Sequence, residues 1–315
     1  MPSNPLTRRT ALKRGSLAAA SAMLMTHHEP ARADEEPAAG YIDAHSHVWT
    51  PDVQHYPLAT GYKPADMKPP SFTPNELMEH ARPCGVERVV LIQMSYYRFD
   101  NSYMLWAMRE YPGTFSGVAV VDHHASDVRD TMRSLRKQGV RGFRIHPGSD
   151  PVDMWLGSDA MAAFWGYGAD ENLAMCGLVN PDALVPLDKM CQRFPRTPVV
   201  IDHFARIGVD GTIRTADVDN LCRLARHENT HVKVSAFYAL GKKQSPYLDL
   251  GPMIRRLVDA YGPQRLMWAT DCPYQVQNGH TYRDSVELIR TRLDSLSSDD
   301  RQWLLRKTAE KVFFS

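Results

Sequence analysis

Eight short apolar, β-rich runs follow one another at intervals of two to four dozen residues: "YIDAH", "RVVLIQ", "FSGVAVVD", "VRGFRIH", "LAMCGLV", "PVVIDH", "HVKVSA" and "RLMWATD". Near-continuous apolar strands of this kind are buried on both faces, which is the condition of a parallel sheet covered by helices. Helical patterns fill the intervals. In "ASDVRDTMRSLRKQG", Val128, Met132 and Leu135 fall on one stripe, and Gly139 stands where a helix would stop. "TPNE" reads as a helix start, with Thr73 as cap, Pro74 in the first turn and Glu76 placed to complete a capping box. Eight such units predict a single-domain α/β fold, a (β/α)8 barrel over residues 34–315. The competing doubly wound sheet needs a glycine-rich phosphate loop after its first strand, and that strand ends in histidines instead.

In a barrel of this type the chemistry sits at the C-terminal ends of the strands. Reading only those positions gives His45 and His47 on strand 1, Gln93 on strand 2, Asp122 and His123 on strand 3, and Arg144 and His146 on strand 4. Strand 6 adds His203 and then Arg206, strand 7 adds Ser235, and strand 8 adds Asp271. Strand alternation puts His45 and His47 on one face, with Ala44, Ser46 and Val48 on the other. It also points Asp202 away from His203, as a structural partner. The connection from Trp49 to Pro74, rich in proline, predicts a long ordered loop walling the site.

The N-terminus carries a different signal. Arg8, Arg9, Lys13 and Arg14 precede a weakly apolar run from Gly15 to Met25, and Ala31 and Ala33 frame a cleavage point. Residues 1–33 therefore read as a twin-arginine export signal, which implies passage through the corresponding export machinery to the periplasm and no stable membrane anchor. That segment holds five cationic residues and one anionic one, so a chain of net charge +1 becomes −3 once it is removed. No basic field remains for nucleic acid, and the expected partner is a small-molecule substrate. The five cysteines are odd in number, scattered and set in apolar runs, the pattern of buried free thiols.

"IDAHSHVW", "RVVLIQ", "GVRGFR", "VVIDHFAR", "WATDCPY" and the terminal "KTAEKVF" together resemble the amidohydrolase superfamily, over nearly the whole of residues 34–315. Within it they resemble the branch holding sugar-lactone and pyrone-dicarboxylate lactonases beside metal-dependent decarboxylases of aromatic acids. The resemblance implies a hydrolase in which Asp271 is the base for water and His45, His47 and His203 polarise a carbonyl. It implies that Arg144 and Arg206, with Gln93, Ser235 and His146, bind a carboxylated or polyhydroxylated lactone or ester. The imidazoles would act directly or through one divalent ion, zinc or manganese, with His45, His47 and Asp271 as its minimum ligands and His203 close by. The metal-dependent members carry a histidine at the end of strand 5, where this chain offers Leu178, Val179 and Asn180. A metal-dependent decarboxylase and a non-catalytic periplasmic binding barrel are the alternatives.

Overall fold

A computed structural model describes residues 40–146 and 156–315. The proposed export segment, residues 1–33, lies outside them. Eight parallel strands run in the order β1 to β8: Tyr41–Ser46, Val86–Ile92, Phe115–Ala119, Val140–Ile145, Ala174–Gly177, Val199–Ile201, Thr230–Val234 and Leu266–Trp268. The barrel closes where β8 meets β1. Asp271 N donates to His45 O at 2.8 Å, and His47 N donates to Cys272 O at 2.8 Å.

Helices cover the intervals between strands: α1 Pro74–Ala81, α2 Ser102–Glu110, α3 Val128–Lys137, α4 Asp159–Glu171, α5 Leu184–Arg193, α6 Thr215–Arg223 and α7 Gly251–Tyr261. α1 starts as the sequence predicts. The Thr73 side chain accepts from Glu76 N and the Glu76 carboxylate accepts from Thr73 N, so two orphan donors of the first turn are satisfied. α3 buries Val128, Met132 and Leu135, then gives way to Gly139 at φ +97°, a left-handed conformation that glycine adopts without steric cost.

The barrel interior is apolar below and polar above. Ile42, Ala44, Val90, Ile92, Val118, Cys176, Val200, Met267 and Ala269 fill the lower part. Ala309 and Phe313 of the C-terminal helix Thr308–Phe313 close it from beneath. Arg306, just ahead of this helix, bonds the Gly40 carbonyl before β1, and Glu310 within it pairs with Arg88 near the start of β2, so the C-terminal segment seals the N-terminal end of the strands. All five cysteines are free, and all but Cys222 are buried.

Candidate active site

At the other end, β1 breaks its own alternation. Ala44 packs into the barrel interior with Ile42, yet His45 also turns into the mouth, because the register with β2 shifts between Asp43 and Ser46. Such a bulge re-aims a side chain. Asp43 holds it: the buried carboxylate accepts from His45 N at 3.0 Å, Thr270 N at 3.0 Å, Thr270 Oγ1 at 2.5 Å, Ser46 Oγ at 3.0 Å and Tyr282 Oη at 2.7 Å. One carboxylate therefore ties the ends of β1 and β8 together and sets His45 and His47 beside Asp271. The expected facing of Ala44 away from the histidines is corrected by this bulge.

The last strands end in left-handed backbone at non-glycine residues. His203, Phe204, Ala205 and Arg206 have φ of 52°, 53°, 53° and 57°, Ala236 has 56° and Asp271 has 71°. Each such residue costs on the order of 1–3 kcal/mol and persists only where the surroundings fix it, which is common at functional sites. The turn after Ile201 also ends strand alternation. Asp202 and His203 both face the site, against the expectation that Asp202 points away, and Asp202 Oδ1 lies 3.4 Å from His45 Nδ1.

Three imidazoles converge on one carboxylate oxygen. Asp271 Oδ1 lies 3.2 Å from His47 Nε2, 3.5 Å from His45 Nε2 and 3.8 Å from His203 Nε2, while its Oδ2 accepts from Tyr238 Oη at 2.7 Å. The opposite nitrogens are each held. His47 Nδ1 meets the Ile92 carbonyl at 2.9 Å, His203 Nδ1 meets Ser235 Oγ at 2.8 Å, and His45 Nδ1 meets Lys233 Nζ at 3.2 Å. Both ring nitrogens of His47 thus face oxygen atoms. Lys233 is fully buried and pairs with Asp202 Oδ1 at 3.0 Å; Arg144 reaches Asp202 Oδ2 at 3.8 Å.

Burial works to raise the Asp271 carboxyl, but the charges on His203 and His45 and the bond from His47 outweigh it and hold it below the ordinary carboxylate range. Burial works the same way on Asp202, and Lys233, His45 and Arg144 outweigh it there. Burial, reinforced by Lys233 and by His203, keeps His45 well below the usual histidine value, and burial also lowers His203. Burial drives the Tyr238 phenol far up, with Asp271 adding to it, so the hydroxyl stays a donor.

Above the cluster opens a cavity of about 860 Å³. His47, His203 and Asp271 form part of its wall, together with Gln93, Arg144, His146 and Arg206, as the sequence predicts. Burial lowers His146, and Arg144 and Arg206 reinforce it. Gln93 commits its amide nitrogen to Asp100 O at 2.6 Å and Arg98 O at 3.2 Å, so it shapes the wall. Ser235 corrects the expectation of a substrate contact: it is fully buried behind His203 and orients that ring. Of the long β1 connection, Tyr62 reaches the cavity, while Trp49 and Phe72 bridge the loop's ends by paired backbone bonds of 2.8 and 3.1 Å. The strand-5 end contributes Leu178 to the wall.

Sequence reading missed Lys233, Arg98 and Tyr238. Lys233 had a signal, since it stands two residues before Ser235 on one face of β7. Arg98 and Tyr238 lie past the strand ends, in turns that periodicity does not reach. Among the described residues, His45, His203 and Asp271 each offer a ligand atom within 4.8 Å of the others, a set of metal-binding size. His203 takes the place that the sequence assigned to His47, whose Nε2 still abuts Asp271.

Similarity to known proteins agrees with this architecture. The chain is 28% identical over 243 residues to L-fucono-1,5-lactonase of Burkholderia ambifaria, covering 76% of this chain and 82% of that protein. It is 29% identical over 261 residues to 2-pyrone-4,6-dicarboxylate hydrolase of Comamonas testosteroni, covering 79% and 81%. Its fold matches an amidohydrolase from Burkholderia multivorans with bound zinc at a TM-score of 0.76 and 19% identity, over 88% of this chain and 99% of that one. It matches 5-carboxyvanillate decarboxylase from Sphingomonas paucimobilis at 0.64 and 15% identity, over 88% and 99%. The sequence signature of the amidohydrolase family spans residues 42–314. A catalytic barrel built on "DAHSH" at its first strand and Asp271 at its eighth, matched from end to end by that signature, belongs to the amidohydrolase family.

Proposed function

We propose that this enzyme hydrolyses a small carboxylated lactone. The carrying observation is the cavity itself, where Arg98, Arg144 and Arg206 face inward against the single carboxylate of Asp271. Guanidinium forks suit a carboxylate, and three of them call for an anionic substrate. Tyr62, Phe99 and Val209 are exposed and line the same cavity. An apolar rim suits an unsaturated ring better than a polyhydroxylated sugar, which sets the pyrone-dicarboxylate relative ahead of the sugar-lactone one as a guide to substrate.

In this reading the arginines hold the substrate carboxylate and present the lactone carbonyl to the imidazoles. Asp271, ionised throughout the working range, takes a proton from water as the water oxygen bonds to the carbonyl carbon. A carboxylate held this low is a weak base alone; it gains from the adjacent His203, whose Nε2 is 3.8 Å away, so the proton is held by the pair. His45 stabilises the oxyanion. The ring C–O bond then breaks, the proton returns to the alkoxide, and a hydroxy acid leaves. His45, His203 and Asp271 match a catalytic zinc site in number and spacing of ligand atoms, and an ion held there would supply Lewis-acid polarisation of the carbonyl; whether His45 offers its lone pair to such an ion depends on Lys233.

Hydrolysis of carboxylated lactones by the purified protein, followed by proton release with and without chelator, is the test. Turnover of carboxylated lactones ahead of neutral sugar lactones supports the reading. Failure on every lactone contradicts it, and CO₂ release from aromatic acids would replace it with decarboxylation. The paired arginines Arg8 and Arg9 support export to the periplasm, and changing both to Lys is expected to retain the protein in the cytoplasm.

A further inference from the structure

The three site histidines differ in what holds the nitrogen facing away from Asp271. His47 Nδ1 faces a backbone carbonyl and His203 Nδ1 a serine hydroxyl whose own proton is directed to Lys233 O at 3.4 Å. Both contacts place the proton on Nδ1, the arrangement usual for a metal-binding histidine. His45 is held the other way. Its Nδ1 lies 3.2 Å from Lys233 Nζ, and an ammonium carries three donors and no acceptor. A ring nitrogen hydrogen-bonded to it has to offer a lone pair.

We infer that Lys233 fixes His45 with its ring proton on Nε2, making it a hydrogen-bond donor to the reaction centre and a poor metal ligand. Asp202 Oδ1, which could accept from an Nδ1–H, stands further off at 3.4 Å and is taken up by Lys233 at 3.0 Å. On the other side of the ring, Asp271 Oδ1 lies 3.5 Å from Nε2, the carboxylate nearest to an Nε2–H. Arg144 Nη2 is also 3.5 Å from Nε2, at the outer limit of a hydrogen bond, and has Asp202 as its anion. The Nε2–H is thus directed to where a carbonyl oxygen develops charge. A metal at the same place needs the lone pair that Lys233 has moved to Nδ1. Lys233 is in this sense a positioning residue: it acts through His45, and it sets the balance between donor chemistry and metal binding. Without it, Asp202 is free to accept from Nδ1–H, the carboxylate–histidine–metal arrangement.

The inference builds on the hydrolytic reading of the cavity, but its test uses no substrate, so the two fail separately. Full-length protein labelled with ¹⁵N-histidine distinguishes the two neutral tautomers by long-range ¹H–¹⁵N correlation, with the His45 signal identified by its loss in His45→Gln. The expected spectrum has the His45 proton on Nε2 in the unsubstituted protein and on Nδ1 in Lys233→Met. Zinc alone, titrated against a chelating dye, is expected to bind Lys233→Met about ten- to a hundredfold more tightly than the unsubstituted protein. Should Lys233→Met not fold, the double variant Lys233→Met/Asp202→Asn removes both buried charges and carries the same expectation for zinc. A His45 proton on Nδ1 in the unsubstituted protein would overturn the inference, as would equal or weaker zinc binding in a folded variant.

Discussion

The two halves of the barrel interior are built on opposite principles. Below, Ile42, Val90, Val118, Val200 and Met267 meet Phe313 with no polar side chain among them. Immediately above, Asp202, Lys233, His45 and Asp271 are buried and ionisable. Lys233 stands at the border, its Nζ 5.4 Å from the centre of the Phe313 ring. The lower layer stabilises by removing apolar surface from water and tolerates no gap. The upper layer gains little stability, because desolvating ions offsets most of their attraction; it is kept in place by pairing every charge. The contrast teaches a division of labour: a dry floor fixes the strands, and a self-neutralised layer on it holds reactive groups in one geometry.

The sharpest way to break this division is Asp202→Asn. It leaves Lys233 buried with no anion and is expected to cost about 3–5 kcal/mol of stability and to lower activity as well, measured by denaturant unfolding and by lactone turnover. Phe313→Ala, one layer lower, is expected to lose about 3 kcal/mol or more with kcat/KM per folded molecule nearly unchanged. A large drop in its kcat/KM would show that the floor is part of the chemistry. At the cavity wall the pattern reverses. Arg144→Ala or Arg206→Ala is expected to raise KM by roughly tenfold with stability nearly intact, since charge-assisted bonds are worth about 1.5–3 kcal/mol. Unchanged kinetics in both would make these arginines structural.

Acid gives the smallest and most graded effect. Burial holds the folded His45 and His203 below the ordinary value of 6.5, so below that pH the folded protein binds fewer protons than the unfolded chain. Stability is therefore full above pH 6.5 and falls as pH drops from there toward the lower folded values. Asp202 acts in a lower window: burial is outweighed by Lys233, His45 and Arg144, so its contribution is present above 3.8 and lost as pH falls through its depressed folded value. Thermal melts over pH are expected to show Tm level near neutrality and falling in acid; a Tm that rises on acidification would contradict the neutral-histidine layer.

The lower layer was nearly all legible in the sequence, because a strand buried on both faces announces itself by a continuous apolar run, and each of the eight runs overlaps its strand. In the upper layer the imidazoles and Asp271 were legible from strand ends. The residues that organise them were not, and for local reasons. Asp43 reads as one polar residue in a strand, and nothing nearby shows that it brackets a bulge across to Thr270, 227 positions away. Asp202 was misread because alternation was carried one residue past Ile201, where the backbone already turns left-handed. Lys233 sits in "HVKVSA", where period-two reasoning gives a face but cannot say which face is the barrel lumen.

In the proposed mechanism the polar layer holds Asp271 as a base for water, and replacing that carboxylate isolates the role. Asp271→Asn and the unsubstituted protein are assayed side by side for proton release on the same carboxylated lactone, with folding of both verified by thermal melts. General-base catalysis contributes about 10²–10⁴-fold, so kcat in the Asn variant is expected to fall by at least a hundredfold while the barrel stays folded. A folded Asn variant that keeps kcat within a few-fold would contradict the account.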